Sequence, residues 1–218
     1  MKDIWDYYTL TWLLDDIAGG LPTDPRLIDA WQAANWSHQA KLLPDDPRSP
    51  EEATQRTLAD LAGIPEEKGW TTFARDGAGH LAIEGRQVKA ALKEAANVMK
   101  PLIPVGGKTI ALRSRLAERV FVVERLLPFE PHKTEPDDTI ERAIHVMTAQ
   151  GPRDALKRTD ICKEVSVTCT LKVLRDKLFT EEVLHTLLAF ATANGLGADR
   201  SQGFGQGDYR LSAASAKH

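Results

Sequence analysis

The chain has 218 residues, 42% of them apolar, with a formal net charge of −3 at neutral pH. That length fits one domain, or one domain with an insertion, and the apolar share suffices for a real core. No apolar run approaches the roughly 18–20 residues of a membrane-spanning helix, and Cys162 and Cys169 are too few for a disulfide framework or a zinc site. The opening Met1-Lys-Asp-Ile-Trp-Asp lacks the basic and apolar regions of a signal peptide, so a soluble, reducing, cytoplasmic setting is expected, with no membrane partner, metal or cofactor.

The total charge conceals an uneven distribution. Residues 1–80 carry a net −7, residues 81–175 a net +5 and residues 176–218 a net −1. A basic middle suits an anionic partner, or it is simply offset by an acidic front.

In chain order, Tyr7 to Leu14 alternates. Tyr8, Leu10, Trp12 and Leu14 fall on one face and Tyr7, Thr9, Thr11 and Leu13 on the other, which predicts a half-buried strand. Asp15-Asp16 and Gly19-Gly20 are expected to end it. Residues 21–68 read as an acidic, mostly helical insertion, with helix starts at Asp24-Pro25 and at the capping-box spacing Ser49-Pro-Glu-Glu52. Asp76-Gly77-Ala-Gly79 between the strand-like runs Trp70–Ala74 and His80–Ile83 predicts a hairpin. Arg86 to Met99 follows as an amphipathic helix with Val88, Ala91, Leu92, Ala95 and Met99 inward, and Arg86, Lys89, Lys93 and Lys100 on another face.

Lys108 to Leu127 is rich in β-branched and aromatic residues, with Arg113, Arg115, Arg119 and Arg125 interspersed, and is read as strand-forming. Pro128 to Thr139 reads as an exposed, mobile loop and Arg142 to Thr148 as a short strand. A second basic loop is expected over Gly151-Pro-Arg153, Lys157-Arg158 and Lys163, which makes 128–163 a loop or thumb-like insertion. Val165 to Leu174 has the cleanest alternation in the chain. Thr180 then caps a helix to Ala193 with Val183, Leu184, Leu187, Leu188 and Ala191 inward. Asp208 to Ser212 is a short final strand, and 213–218 a tail. The order is α+β, and a ferredoxin-like, RRM-type βαββαβ core with an inserted helical segment and basic loop insertions is the simplest framework.

Between the last helix and the last strand lies Asn194-Gly-Leu-Gly-Ala-Asp-Arg-Ser-Gln-Gly-Phe-Gly-Gln-Gly-Asp208, with glycines at 195, 197, 203, 205 and 207. Glycine admits positive φ and close approach of a ligand to the backbone. Arg200 and Ser201 add a charged fork and a hydroxyl, both good phosphate partners. The run is neither a dinucleotide-binding fingerprint, which needs a strand before and a helix after it, nor a P-loop, since no Gly-Lys-Ser/Thr occurs. A helix cap followed by a glycine-rich connection explains the spacing equally well.

Gly195-Leu-Gly-Ala-Asp-Arg-Ser-Gln-Gly-Phe-Gly205, after a helix and before the final strand, resembles the glycine-rich loop of the RAMP superfamily of CRISPR-associated proteins. Ile83-Glu-Gly-Arg-Gln-Val-Lys-Ala-Ala-Leu-Lys-Glu-Ala96 is similar, more weakly, to that superfamily's strand-to-first-helix segment. The resemblance implies a single RAMP-like domain that coats guide RNA through phosphate contacts, as a homo-oligomer beside other effector subunits in antiviral defence. By position it points to Arg86, Lys89, Gly195, Gly197, Arg200, Ser201, Gly203 and Gly205 as RNA-contacting. Lys93, Arg113, Arg115, Arg153, Lys157 and Arg158 are further candidates for neutralising phosphates. The family usually enters its last strand directly after the loop, whereas Gln206-Gly207-Asp208 intervene here.

Two other functions stay open. Some members of the superfamily are RNA-processing endoribonucleases using histidine or tyrosine, but nothing in the sequence pairs His145 or His185 with a partner, and no catalytic residue is assigned. Asp15, Asp16 and Asp24 lie where related subunits carry a target-cleaving aspartate, although a loop pair and a helix cap account for them. The third reading is a virus- or mobile-element-encoded interaction protein that retains the fold. Trp5, Trp12, Trp31, Trp36 and Trp70 read as core residues rather than stacking platforms.

Overall fold

A computed structural model describes residues 4–22, 71–103, 111–148, 151–175 and 178–214, without the side chains of Pro22 and of residues 144–156. The expected insertion helices, with Asp24, Trp31, His38, Trp36 and Trp70, lie outside the described residues, as do the side chains of His145 and Arg153 and residues 215–218. The elements in order are β1 (Trp5–Ala18), β2 (Leu21–Pro22), β3 (Thr71–Thr72), β4 (Ala74–Arg75), β5 (Leu81–Glu84), α1 (Gly85–Val98), α2 (Leu112–Arg119), β6 (Val120–Val122), β7 (Leu126–Pro128), β8 (Asp138–Thr148), β9 (Gly151–Leu174), α3 (Glu181–Asn194) and β10 (Gly207–Ala213). Two compact units divide them: Met1–Gly19 with Phe73–Asp138 and Ile161–His218, and Gly20–Thr72 with Thr139–Asp160.

The first unit is built on the path β1, α1, β6, β9, α3, β10. β1 pairs antiparallel with β10 on one side and with β9 on the other, and β9 pairs antiparallel with β6. The strand order β10-β1-β9-β6 is that of a ferredoxin-like βαββαβ sheet, so the fold is α+β as the sequence predicts. Alternation drives it. Leu10, Trp12 and Leu14 of β1 and Val165, Val167, Cys169, Leu171 and Val173 of β9 are buried on one face, where α1 and α3 bring Val88, Leu92, Leu184, Leu187 and Leu188. Thr180 caps α3, its hydroxyl accepting from the Val183 amide at 3.4 Å. Burial pushes the Cys169 thiol up to about 12, with Glu124 adding to it, so this cysteine is an inert apolar residue.

Three expectations are corrected. Asp15-Asp16 does not end β1, because Asp16, Ile17 and Ala18 continue the same register against Lys163, Cys162 and Ile161. Between Val165 and Lys163, Glu164 takes φ 51° and the Asp15–Glu164 pair is missing from the ladder, and beyond it Ile17 and Cys162 are buried. Lys108 to Leu127 is not strand throughout. Its centre is α2, an eight-residue helix that buries only Leu112 and Leu116, one turn apart, and β6 follows. The expected basic loop over 151–163 is instead the first half of the 24-residue β9, paired with β8. Its polar side chains hid a segment whose ladder bonds satisfy the backbone.

The predicted hairpin is present: β4 pairs with β5, and the Asp76 carboxylate accepts from the Ala78 and His80 amides. β5 also pairs with β7. Pro128–Thr139 is anchored rather than loose. The Leu81 amide donates to the Lys133 carbonyl, the Glu130 backbone bridges to Ser166, and Phe129 packs edge-on against Phe73 at 5.1 Å. In the second unit β2 pairs with β3, and Thr71 of β3 lies parallel to Thr159. Among the described residues no helix is long and apolar enough to cross a membrane.

Trp12 is fully buried and its indole Nε1 is the one buried side-chain polar atom, among the described residues, without a hydrogen-bond partner. Trp12→Phe, which removes that unsatisfied donor, is therefore expected to cost well under the roughly 3–5 kcal/mol of Trp12→Ala. Urea unfolding of the two variants measures the difference, and equal costs would contradict it.

Candidate nucleic-acid interface

The glycine loop closes against the far end of β1. The Leu196 amide donates to the Gly205 carbonyl at 2.8 Å, the Gly205 amide to Asp16 at 2.7 Å and the Ala198 amide to Ala18 at 3.1 Å. These three donors are committed to backbone, so the loop is a folded closure more than an open cradle. Positive φ at Gly195, Gly197, Gly203 and Gly205 explains four of the glycines. Close approach explains most of the set: a Cβ on Gly205 would stand 1.8 Å from the Leu196 oxygen, and one on Gly207 1.9 Å from the Leu13 oxygen. Gly207 already belongs to β10, so the additional residues after Gly205 reduce to Gln206, whose side-chain amide donates to the Ala193 carbonyl.

At the tip, Asp199 adopts the left-handed conformation and Arg200–Gln202 form a single 3-10 turn, with Ser201 exposed. Arg200 reaches across to α1, where its guanidinium donates to Glu94 at 2.7 Å. Both side chains keep about a third or more of their exposure, so the pair contributes about 0–1 kcal/mol to stability. Its larger effect is on position, since it holds the guanidinium at the surface beside α1.

Arg86 sits at the other end of α1, its Nε donating to Glu84 at 2.6 Å. Lys89 is turned inward. Its ammonium donates to the carbonyls of Leu116 (3.0 Å), Ala117 (3.1 Å) and Val120, capping the C-terminal end of α2, and it stands 4.9 Å from the Phe121 ring centre. Arg86, Lys89 and Arg200 thus each have a separate local partner, and the structure does not gather them. Arg113 and Arg115 project from the exposed side of α2, with Lys93 half-buried on α1. Lys157 and Arg158 belong to β9 within the second unit, and each has a partner of its own.

Burial pulls the Lys89 ammonium down to about 8, and the charge of Lys93 adds to the fall. A lysine of the unfolded chain titrates near 10.5. Between those values the unfolded state holds more protons, so Lys89 makes stability rise with pH across roughly pH 8 to 10.5. Screening of the half-exposed side chain reduces the gain to about 1 kcal/mol. Lys89→Met should flatten that rise in urea titrations at pH 8 and pH 10, and an unchanged slope would show that Lys89 is not its source.

Two groupings escaped the sequence reading. His185 Nδ1 lies 2.9 Å from the Tyr209 hydroxyl, which donates to the His185 carbonyl at 3.1 Å, while Glu181 is 3.9 Å from Nε2. Burial raises the Tyr209 phenol above its ordinary value. The period-four spacing of Glu181 and His185 was visible, but their partnership with β10 was not. The second grouping corrects the reading of Trp5 as core. Trp5 lies on the sheet face turned away from Trp12, with Phe121 edge-on at 5.9 Å and the Lys172 ammonium 4.4 Å from its ring centre.

No family model matches the chain, and neither does any curated protein. Among solved structures, a chain of the "Cryo-EM structure of the Type III-B Cmr-beta bound to cognate target RNA" is similar at 12% identity with a TM-score of 0.41, over 96% of this chain. The match spans 60% of that chain's length, and a likeness at this level fixes neither fold nor function.

Proposed function

We propose that the protein binds RNA in the manner of a CRISPR effector backbone subunit, coating a guide strand through phosphate contacts, self-associating along it and meeting other effector subunits. The observation that carries this is the position of the glycine loop. The loop connects α3 to β10 of a βαββαβ sheet, as in the superfamily it resembles, and presents Arg200 and Ser201 at its tip. Phosphate contacts would come from Arg200, Ser201, Arg86, Lys93, Arg113 and Arg115, with Arg153, Lys157 and Arg158 as contributors from β9. Gly195, Gly197, Gly203 and Gly205 shape the loop. Lys89 is assigned to α2, where its ammonium already has three carbonyl partners.

Filter binding of an unstructured RNA of about thirty nucleotides at 50 mM salt tests the reading. Retention in the micromolar range or tighter is expected, and absence of any affinity at that salt removes it.

The His185–Tyr209 pair favours a second reading, a processing endoribonuclease. With the tyrosine proton engaged by the His185 carbonyl, Nδ1–H faces the phenol oxygen, and Nε2 is left as a basic nitrogen able to take a proton from a ribose hydroxyl. Incubation with a repeat-hairpin RNA in excess chelator decides it. A defined cut that disappears in His185→Ala supports the enzyme, and intact RNA rejects it.

A further inference from the structure

In an antiparallel ladder, residues directly opposite one another share a face. The register therefore places Trp5 and Leu174, Tyr7 and Lys172, Phe121 and Lys172, Thr9 with Thr170 and Ser212, and Thr11 with Thr168 and Arg210 on one side of the sheet. That side is opposite the one carrying Leu10, Trp12 and Leu14, which α1 and α3 cover. Its aromatic end is accessible: Phe121 is 40% and the neighbouring Val123 57% exposed. Phe121 is held edge-on to Trp5, with the Lys89 ammonium 4.9 Å from its ring centre, while half-buried Trp5 and Tyr7 flank a second cation. The Lys172 ammonium lies 4.4 Å from the Trp5 ring centre and 6.0 Å from that of Tyr7.

We propose that this sheet face binds the bases of single-stranded RNA, with Trp5, Phe121 and Tyr7 as stacking surfaces and Lys172 and Arg210 as phosphate partners. The inference rests on the RNA-binding reading and adds to it a base-contacting surface distinct from the glycine loop. Every base has a π-face, so stacking on aromatic rings is tolerant of sequence, as a guide-coating protein requires. Lys172 has four rotatable bonds and can exchange an indole face for a phosphate when a base arrives. Past the aromatic end the face becomes a strip of hydroxyls, Thr9, Thr11, Thr168 and Thr170, with Thr11 and Thr168 3.1 Å apart. Those groups donate to or accept from base edges and ribose hydroxyls. From Trp5 to Thr11 the strand rises about 20 Å, enough for roughly three nucleotides. A lysine among the rings and a strip of threonine hydroxyls favour a nucleic-acid strand over a second protein, because lysine is depleted from protein–protein contacts and threonine seldom carries their energy.

The test compares an eight-nucleotide uridine RNA with an abasic ribose-phosphate chain of the same length, by fluorescence anisotropy at low salt, on the full chain. The wild type should bind the base-bearing strand about tenfold more tightly. The double variant Trp5→Leu, Phe121→Leu, checked for folding by circular dichroism, should lose that advantage and keep its affinity for the abasic chain. A single Lys172→Gln variant should weaken both strands. Equal wild-type affinities for the two strands, or a folded double variant with an undiminished preference, would overturn the proposal while the phosphate-binding reading stands. Loss of self-association by the double variant with RNA affinity unchanged would make the face a contact between copies, which also overturns it. No affinity for either strand would instead remove the RNA-binding reading itself.

Discussion

Gly205→Ala is expected to abolish or nearly abolish folding. Gly205 has φ 75°, in the region where a side chain collides with its own backbone, and that strain alone costs about 1–2 kcal/mol. The greater penalty is steric. An added Cβ would lie 1.8 Å from the oxygen, 2.5 Å from the nitrogen and 2.7 Å from the carbonyl carbon of Leu196, and backbone atoms cannot rotate aside as a side chain would. Relief requires moving the loop and breaking the Leu196–Gly205 hydrogen bond that closes it and the Gly205–Asp16 hydrogen bond that attaches it to β1. A total of about 4 kcal/mol or more approaches the whole stability of an ordinary domain. Gly203→Ala is the internal control, since φ is 95° there but nothing lies within 4 Å of the new Cβ, so only the conformational cost of about 1 kcal/mol applies. Thermal unfolding of both variants decides it. If Gly205→Ala melts within a few degrees of Gly203→Ala, the loop is not the rigid closure described.

The legible parts of the fold are those whose side chains separate cleanly into buried and exposed. β1, the second half of β9 and α3 each carry one apolar face against the core, and their residues could be assigned inward or outward without knowing the partners. α2 was hidden because eight residues with two buried leucines make too short a stripe to outweigh the β-branched residues around it. The first half of β9 was hidden for the opposite reason: it pairs along its length without an apolar alternation. Ile17 was missed as a core residue because the strand was expected to end at Asp15-Asp16, whereas the ladder with β9 resumes past the left-handed Glu164 and runs to Ala18.

For the candidate site, the glycines were legible because their backbone requirements are local. The partnerships were not, since Arg200 and Glu94 stand 106 residues apart and Trp5 meets Phe121 only through their common neighbour β9. Trp5 and Trp12 are both aromatic residues of one strand, yet their odd separation of seven puts them on opposite faces. The sequence pattern contained that distinction, and the assumption that tryptophan belongs in the core obscured it.

The Arg200–Glu94 pair makes the phosphate reading testable with opposite signs. If Arg200 contacts RNA, the strand competes with Glu94 for the guanidinium, and Glu94→Gln removes the competitor while leaving Arg200 in place. Glu94→Gln should then tighten RNA binding about threefold to tenfold, while Arg200→Ala weakens it by about tenfold, the size of one charge-assisted contact. Neither change should move stability by more than about 1 kcal/mol, because both side chains are substantially exposed. Salt gives the larger readout. With about four phosphates neutralised, the slope of log affinity against log salt is about −2.8 for a single strand, so raising salt from 50 to 200 mM should weaken the wild type about fiftyfold. Arg200→Ala should reduce that slope by about 0.7, one phosphate's share, whereas Glu94→Gln should leave it the same or steeper. Should Arg200→Ala and Glu94→Gln weaken binding alike with the slope unaltered, the ion pair serves only to fix the loop against α1, and the phosphates are held elsewhere.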